Sequence, residues 1–406
     1  MSGKVVTPAD IEEARERIVG SVVRTSCVAA AGFSDLNPAR LHFKLENQQH
    51  TGSFKDRGAL NKLARFDDDE RRRGAVTASA GNHAQALAYH GGRLGIPVTV
   101  VMPDAAPLVK VANTRRYGAR VELSGTILDE SAEIAREIAR REGSIMVSAF
   151  DDDVVIAGQG TIGLEILEDV PDVATVVVPV GGGGLISGIG IAIKAVRPNI
   201  RLVGVEAEAV PAATASRAAG HVVKIEHAPT LADGIATKRI GDRTFPLMQR
   251  YVDDLVTVSE DEIASAILVL LERGRTVVEG AGAVGVAALL AGKIPVPDAA
   301  PVVLVLSGGN IDMNRVSRII DRGLEADGRV ARLGVRAPDR PGSLARLTRV
   351  LADQGANVLE TSHRRAFADI RVGDVEIVTI VETTGRDHLH AIIEALEAEG
   401  MHVQNR

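Results

Sequence analysis

Four short segments hold the residues whose types and spacing could carry out chemistry. They are Ser53-Phe54-Lys55-Asp56-Arg57-Gly58-Ala59, Ser79-Ala80-Gly81-Asn82-His83, Gly181-Gly182-Gly183-Gly184-Leu185 and Ser307-Gly308-Gly309-Asn310. Lys55 follows a Gly-Ser pair at the predicted start of a helix, and a lysine amine can react as a nucleophile with carbonyl compounds. The four glycines stand between an apolar strand and a helix, so their backbone N–H groups can surround a phosphate at the helix N-terminus. Taken alone, the glycine run fits equally well a tight turn that binds nothing.

Alternating strands and helices surround these segments and predict an α/β fold with two lobes and a cleft between them. The first series, a small lobe at about residues 75–150, has predicted strands Ala75–Ala78, Val98–Val101, Arg120–Leu123 and Ile145–Val147, and predicted helices Asn82–Leu94, Leu108–Tyr117 and Thr126–Glu142. The second series has predicted strands Ala174–Val180, Leu202–Glu206, Leu255–Val258 and Val302–Leu306, with helices near 184–196, 260–273 and 281–291. The nearly continuous apolar strands are typical of a parallel sheet buried on both faces.

A different pattern follows Gly323. The polar run Glu325-Ala326-Asp327-Gly328-Arg329 predicts a linker. After it come strand Ala331–Val335, helix Ser343–Gln354, strand Asn357–Arg364, strand Val375–Val381, helix Asp387–Glu399 and strand Met401–Gln404. This βαββαβ order predicts a ferredoxin-like unit. The predicted domains are therefore residues 1–325, with the small lobe inserted, and residues 330–406.

In order and spacing, the four segments resemble the pyridoxal-phosphate (PLP) enzymes of fold type II, the tryptophan synthase β-like group, over roughly residues 5–325. Within that group they are most similar to the threonine ammonia-lyase (threonine dehydratase) family. The resemblance implies PLP as cofactor, bound covalently by Lys55. It also implies that Phe54 packs on the cofactor ring, Asn82 lies near O3′, Gly181, Gly182, Gly183, Gly184 and Leu185 hold the phosphate, and Ser307 faces the pyridine nitrogen. The loop Ser79, Ala80, Gly81, Asn82 and His83 is implied to hold the substrate carboxylate at a helix N-terminus.

The reaction that this resemblance implies is a β-elimination of water. L-Threonine would give 2-oxobutanoate and ammonia, and L-serine would give pyruvate and ammonia. The residue type at position 307 points the same way, because a serine hydroxyl cannot keep the pyridine nitrogen protonated as a carboxylate could. The cofactor is then a weaker electron sink, which favours β-elimination over transamination.

The serine racemases and serine dehydratases of the same group are the alternative. Racemases of that type carry a second serine where this chain has Ala80, and alanine cannot handle a proton on the opposite face. They also bind a divalent cation through a Glu and an Asp six residues later. Glu206 matches the first position, but Ala212 occupies the second. No metal site is predicted, since no His/Cys cluster offers another.

Three further segments need an interpretation. Gly158-Gln159-Gly160-Thr161-Ile162-Gly163 reads as G-x-G-x-x-G, which can bind a dinucleotide in an oxidoreductase. The acid expected about 20 residues later is absent, so glycines at a helix start against a neighbouring strand are the favoured interpretation. Leu231–Ala236 and Glu279–Gly282 look like family segments whose role the sequence does not give.

The C-terminal segments Val335–Leu344 and Gly355–Val358 resemble an ACT domain. The resemblance implies an effector site between two such modules, formed by Asp339, Arg340, Pro341 and Gly342 with Asn357, and isoleucine or valine as effectors. A homo-oligomer, dimer or tetramer, is expected. The alternatives are a module that only dimerises and a non-catalytic amino-acid sensor.

Bulk composition excludes other classes of protein. A net charge of −6 offers no basic field for nucleic acid, and no apolar run approaches the roughly 20 residues that span a bilayer. The first residues lack the apolar core of a signal peptide, so a cytoplasmic protein is expected. Cys27 is the only cysteine, which rules out an intrachain disulfide and predicts a small packing residue.

Overall fold

The computed structural model describes residues 6–34, 36, 39–226, 228–296, 300–365, 371 and 373–405. The chain folds as two compact units, Met1–Met313 and Asn314–Arg406. The sequence-based boundary between residues 325 and 330 stays a prediction. None of the described helices combines the length and the apolar character that crossing a bilayer requires.

Ten strands and twelve α-helices form the described part of the first unit. The strands are β1 (Cys27–Ala29), β2 (Arg40–Lys44), β3 (Ala75–Ala78), β4 (Val98–Met102), β5 (Arg120–Leu123), β6 (Ile145–Met146), β7 (Thr175–Pro179), β8 (Arg201–Ala207), β9 (Asp254–Val258) and β10 (Pro301–Val305). The helices are α1 (Pro8–Ile18), α2 (Lys55–Ala64), α3 (Asp68–Arg73), α4 (Asn82–Leu94), α5 (Leu108–Arg116), α6 (Leu128–Glu142), α7 (Asp153–Asp169), α8 (Gly184–Val196), α9 (Ala212–Ala219), α10 (Thr244–Tyr251), α11 (Glu260–Glu272) and α12 (Gly280–Leu290).

Two sheets divide this unit into lobes. The large lobe has six strands in the order β1-β2-β10-β7-β8-β9, parallel except for the β1–β2 pair. The small lobe has four parallel strands in the order β5-β4-β3-β6. Every residue of β7 and β10 is buried, as expected for strands covered by helices on both faces. The two-lobed α/β prediction is confirmed.

The G-x-G-x-x-G segment lies in the middle of α7 rather than at a helix start after a strand. A Cβ at Gly158 would lie 2.8 Å from the Arg57 carbonyl oxygen of α2, and one at Gly160 would lie 2.9 Å from the Gly188 carbonyl oxygen of α8. The glycines therefore let three helix backbones approach closely. The prediction of a helix start against a strand was wrong. Glycines spaced in this way are needed where helices cross closely as well as at a helix start, so the sequence pattern alone does not separate the two.

A fully buried ionic network joins α2 to β2 and α7. Arg57 donates to both carboxylate oxygens of Glu46, at 2.8 and 2.9 Å, and to both of Glu165, at 2.7 and 2.8 Å. Lys44 donates to the same Glu165 at 2.5 Å. Opposite charges and hydrogen bonds offset the cost of removing these groups from water. Since Arg57 lies two residues after Lys55, the network fixes the start of α2.

Cys27 lies in β1, where it pairs with Lys44 of β2. Its side chain is partly buried and forms no disulfide. Burial raises the pKa of the Cys27 thiol to about 11, although the nearby Lys44 charge acts in the opposite direction. The thiol is therefore protonated at neutral pH.

The second unit has four strands and three helices within its described residues: α13 (Met313–Ala326), β11 (Val330–Pro338), α14 (Ser343–Asp353), β12 (Asn357–Arg364), β13 (Asp374–Glu382), α15 (Arg386–Ala398) and β14 (His402–Asn405). The strands pair antiparallel in the order β12-β13-β11-β14. This is the predicted ferredoxin-like arrangement. The predicted linker is wrong at its start, because Glu325 and Ala326 complete the last turn of α13.

Candidate active site

The backbone around Lys55 is held by the Ser307–Asn310 segment that follows β10. Phe54 N–H donates to the Ser307 carbonyl at 3.0 Å, and Gly309 N–H donates to the Gly52 carbonyl at 2.9 Å. Gly52 has φ +77°, and a Cβ there would lie 2.7 Å from Asn310 Oδ1. Glycine is needed at that position for both reasons. The structure thus brings the first and last of the four predicted segments together.

The Lys55 amine is partly withdrawn from water at the start of α2. Its Nζ donates to the Ala149 carbonyl at 2.8 Å and lies 4.8 Å from the centre of the Phe54 ring. Desolvation lowers the pKa of Lys55 to about 8, and the charge of Glu279 opposes this shift. The lowered pKa increases the uncharged fraction of the amine near neutral pH, and the uncharged form is the one that a nucleophile or a general base requires.

The Ser79–His83 loop joins β3 to α4. Ser79 Oγ accepts the Gly81 N–H at 3.2 Å, and no atom lies within 4 Å of where a Cβ at Gly81 would point. The first amides of α4 have no partner inside the helix, so they are available as donors to an anion. The His83 ring is buried, and burial lowers the pKa of His83 to about 3, which keeps the ring uncharged.

The Asn82 side chain is oriented by residues from two other elements. Its Nδ2 donates to Glu279 Oε1 at 2.7 Å, and its Oδ1 accepts from Asn310 Nδ2 at 2.8 Å. Burial raises the pKa of Glu279 to about 7, with a further rise from the Asp233 charge. Asn310 also donates to the Thr51 carbonyl at 2.6 Å. Protein groups therefore hold both the nitrogen and the oxygen of the Asn82 side-chain amide in a fixed orientation.

The four glycines form the turn between β7 and α8. Gly183 has φ +91°, and a Cβ there would lie 2.6 Å from Met248 Sδ. A Cβ at Gly182 would overlap the Phe150 ring, and one at Gly184 would lie 2.9 Å from the Phe150 carbonyl oxygen. At each of these three positions there is room only for the hydrogen atom that glycine carries as its side chain. Its amides at the start of α8 have no intrahelical partner, and Leu185 is buried behind them.

The two segments of unknown role pack beside this turn. A Cβ at Gly280 would overlap the Leu231 carbonyl oxygen, and one at Gly181 would lie 3.0 Å from Ile235 Cα. Gly234 approaches Glu279, with 3.2 Å between a Cβ there and Glu279 Oε1. Leu231–Ala236 thus fills the gap between the glycine turn and the Glu279 segment.

Glu206 is engaged by protein groups. Its Oε1 accepts the Ala213 N–H at 2.7 Å, and its Oε2 accepts the Thr214 N–H at 2.8 Å and the Thr214 hydroxyl at 2.7 Å. The carboxylate therefore caps the N-terminus of α9. Within the described ranges, no three His, Cys, Asp or Glu side chains come together as a metal site would require.

The predicted effector loop lies in the second unit, between β11 and α14. Gly342 has φ +96° at the N-cap of α14, and Ser343 Oγ donates to the Pro338 carbonyl at 2.7 Å. Asp339 pairs with Arg365 at 2.8 Å. Asn357, at the start of β12, donates to Glu382 of β13 at 3.1 Å. Arg340 and Pro341 lie in the same exposed turn.

Comparison with known proteins defines the class. Residues 18–308 match the family "Pyridoxal-phosphate dependent enzyme", and residues 331–400 match the ACT domain. The chain belongs to the pyridoxal-phosphate dependent enzyme family and carries an ACT domain. The predicted fold class and cofactor are thereby confirmed.

Similar proteins and solved structures indicate which enzymes within this family the chain resembles. The L-threonine ammonia-lyase of Thermotoga maritima is 48% identical over 400 residues, which cover 98% of this chain and 99% of that protein. The processed form of threonine deaminase isoform 2 from Solanum lycopersicum has a TM-score of 0.73 at 34% identity, covering 77% of this chain and 86% of its own. Maize serine racemase has a TM-score of 0.74 at 33% identity, and the match covers 79% of this chain and 99% of the racemase chain. The backbone alone does not separate the two activities.

The residues present fit PLP. The cofactor aldehyde needs an amine, and Lys55 supplies one with a lowered pKa. The phosphate needs hydrogen-bond donors, which the glycine turn supplies as backbone amides. Ser53 Oγ, two residues before Lys55, is buried with no hydrogen-bond partner among the described residues, so this site also holds an unused polar atom.

Sequence reasoning missed several residues of the site. Glu279 was noticed only as part of a segment without a role, and its partner Asn82 lies 197 positions away. Phe150 and Asp151 follow the small lobe in a stretch without a recognisable pattern. The signal that could have found them is the run of acids Asp151, Asp152 and Asp153, because acidic residues favour a helix start and Asp152 is the N-cap of α7.

Proposed function

We propose that this protein deaminates L-threonine to 2-oxobutanoate and ammonia by β-elimination of water, and that L-serine is a second substrate. The observation that carries the proposal is the Lys55 amine, bound to the Ala149 carbonyl at 2.8 Å beside the glycine turn and the Asn82 loop. The extent of its likeness to the Thermotoga maritima L-threonine ammonia-lyase supports the same substrate.

Each predicted site residue has a task in this proposal. Lys55 would bind PLP covalently, Phe54 would pack on its ring and Asn82 would donate to O3′. Gly181, Gly182, Gly183, Gly184 and Leu185 would hold the phosphate, and Ser307 would meet the pyridine nitrogen. When bound, PLP withdraws electrons from the substrate α-carbon and makes its proton acidic.

The protein groups then act on the substrate. Amides of the Ser79–His83 loop hold the carboxylate at the start of α4, where neutral His83 adds no charge. Once the substrate amine has taken its place in the covalent attachment, the freed Lys55 Nζ would remove the Cα proton, a step that its lowered pKa favours. The β-hydroxyl would take up a proton on the phosphate side of the site and leave as water. The released enamine would then tautomerise and react with water to give 2-oxobutanoate and ammonia. The Ser307 hydroxyl cannot hold a pyridinium as a carboxylate could, which favours elimination over transamination.

Serine racemisation is the second candidate, because maize serine racemase shares the fold with a TM-score of 0.74. Ala80 argues against it, since a methyl group cannot exchange a proton at the second face. Glu206 caps α9 with both oxygens, so it offers no free carboxylate for a divalent cation.

Release of 2-oxoacid from L-threonine, L-serine and D-serine tests the proposal. We expect 2-oxobutanoate from L-threonine, a slower release of pyruvate from L-serine, and no interconversion of L- and D-serine. Conversion of L-serine to D-serine at a rate comparable with pyruvate release would support the racemase instead. A protein that binds PLP but releases no 2-oxoacid would contradict the proposal.

The ACT domain is proposed to bind isoleucine or valine through Asp339, Arg340, Pro341, Gly342 and Asn357. The family match at residues 331–400 supports an amino-acid effector.

The proposed assembly is a homo-oligomer, either a dimer or a tetramer, in the cytoplasm. The proposed domain bounds are 1–325 for the catalytic domain and 330–406 for the ACT domain. Light scattering with and without isoleucine would test the assembly.

A further inference from the structure

The segment Ala149–Asp151 leads from the small lobe to α7 and contacts both halves of the proposed cofactor site. The Ala149 carbonyl accepts the Lys55 Nζ–H at 2.8 Å. The Phe150 ring covers Gly182, where any Cβ would overlap it. One short stretch thus touches the amine and the proposed phosphate-binding turn.

The Asp151 carboxylate is bound to the start of α10. Its Oδ1 accepts the Arg243 N–H at 2.8 Å, and its Oδ2 accepts the Asp242 N–H at 3.2 Å. A Cβ at Gly241 would overlap the carboxylate. Because these contacts are short and involve backbone, Asp151 fixes the first turn of α10.

That turn holds the glycine loop in place. Thr244, fully buried, donates its hydroxyl to the Gly182 carbonyl at 2.7 Å and accepts the Gly241 N–H at 3.0 Å. Gly241 N–H also donates to the Gly182 carbonyl at 3.2 Å. Gly182 is therefore clamped between the Phe150 ring and the start of α10.

We infer that Asp151 is a positioning residue for the phosphate-binding turn, acting through α10 and Thr244. It holds the turn in a fixed position relative to the Lys55 amine, so that a cofactor whose aldehyde and phosphate arm are carried on neighbouring ring atoms can reach both. The inference rests on the proposed function, which assigns the turn to the phosphate.

Cofactor binding to the apoprotein tests this role. Asp151→Ala removes both acceptors, and we expect the Kd for PLP to rise about tenfold or more. The Kd for pyridoxal, which has no phosphate, should stay within about twofold, since only the phosphate contact is displaced. The ³¹P resonance of bound PLP should also shift. A general loss of structure would weaken both ligands alike.

Two sets of variants control the experiment. Asp153→Ala removes an equal charge nearby, where Asp153 pairs with the exposed Arg243 side chain at 2.7 Å, and should leave both Kd values unchanged. Thr244→Val removes the bond to the Gly182 carbonyl and should weaken PLP selectively, whereas Thr244→Ser should restore it. The Thr244 pair decides the question if Asp151→Ala does not fold.

Wild-type affinity and an unmoved ³¹P resonance in both Asp151→Ala and Thr244→Val would overturn the inference. So would an equal loss in Asp153→Ala, because the effect would then follow charge alone. In either case the wild-type protein would still deaminate L-threonine, whereas failure of the proposed function would appear as a wild-type protein that releases no 2-oxoacid.

Discussion

Lys55, His83 and Glu279 belong to one site, and removal from water shifts the pKa of each against its charged form. The pKa of Lys55 falls to about 8, that of His83 falls to about 3 and that of Glu279 rises to about 7. Burial penalises charge of either sign. Burial therefore favours the uncharged form of all three groups, which for Lys55 is the form that can act as a base.

Replacing Lys55 by alanine should abolish both deamination and the covalent attachment of PLP, because no other described amine in this site occupies that place beside Ala149. Borohydride reduction followed by mass spectrometry would locate the attachment. Lys62→Ala provides the control on the same helix, where Lys62 pairs with Asp152 at 2.6 Å, and should retain attachment. Retained trapping at another lysine in Lys55→Ala would refute the assignment.

Glu279 should make the apoprotein less stable as the pH rises. Its pKa is raised from an ordinary 4.5 to about 7 in the folded chain, so between these values the folded state binds more protons than the unfolded state. Stability is then lost as the pH rises through about 7. Because the lowered pKa of His83 acts in the opposite direction below about pH 6.5, the Glu279 contribution is read against Glu279→Gln. From pH 5 to pH 8, melting temperatures of the apoprotein should decline relative to those of that variant. An identical decline in the variant would contradict the assignment.

At the scale of elements, close helix crossings and buried charges position α2. Gly158 and Gly160 bring α7 against α2 and α8, while Arg57 joins α2 to Glu46 and Glu165. Removing one member of such a network leaves a buried charge without a partner, which costs about 3–5 kcal/mol. Lys55, the proposed catalytic lysine, is thus fixed by contacts that take no part in the proposed chemistry.

Gly188→Ala should destabilise the protein by about 1–3 kcal/mol through overpacking. An added Cβ would overlap the Ile156 carbonyl oxygen and lie 2.6 Å from Gly160 N. Gly285→Ala on α12 is the matched control, since its nearest neighbour would lie at 3.4 Å. That variant should be neutral or gain about 0.5–1 kcal/mol from helix propensity. Urea unfolding of both variants measures the difference, and equal midpoints would contradict this account of the crossing.

Local sequence patterns predicted most of the strands and helices of the site, but they did not predict the contacts between residues far apart in the sequence. Strand β3 and helix α4 have the predicted bounds because apolar runs and glycine boundaries mark them. The sequence patterns did not predict strand β2, which lies inside the large sheet and pairs with β10. Its buried Lys44 interrupts the apolar run that would have marked it as a strand. The partnership of Asn82 with Glu279 depends on the fold itself, because no local rule links residues that far apart in sequence.

At the scale of the whole molecule, the chain combines a PLP-dependent unit with an ACT domain. The βαββαβ order of the ACT domain was readable because α14 separates β11 from β12 and α15 separates β13 from β14. The identity of the proposed effector was not readable, since the loop from Asp339 to Gly342 is exposed and its specificity would depend on contacts with the ligand.

Asp339→Ala should raise the concentration of isoleucine or valine needed for a half-maximal effect by about tenfold or more, because a charge-assisted contact with the ligand ammonium would be lost. Titration of deaminase activity against each amino acid measures this. Arg346→Ala, which breaks an exposed pair with Glu399 at 2.7 Å in the same domain, should respond like wild type. A flat response of the wild-type protein to every amino acid would favour a module that only dimerises.

The single cysteine offers a practical opportunity. With its pKa raised to about 11, the Cys27 thiol is almost entirely un-ionised at pH 7 and reacts slowly with maleimides. A cysteine introduced on the exposed face of α14 would then be the fastest-labelling position in the chain. Fluorophores could be attached there without first removing the native thiol, and movements of the ACT domain could be followed in solution.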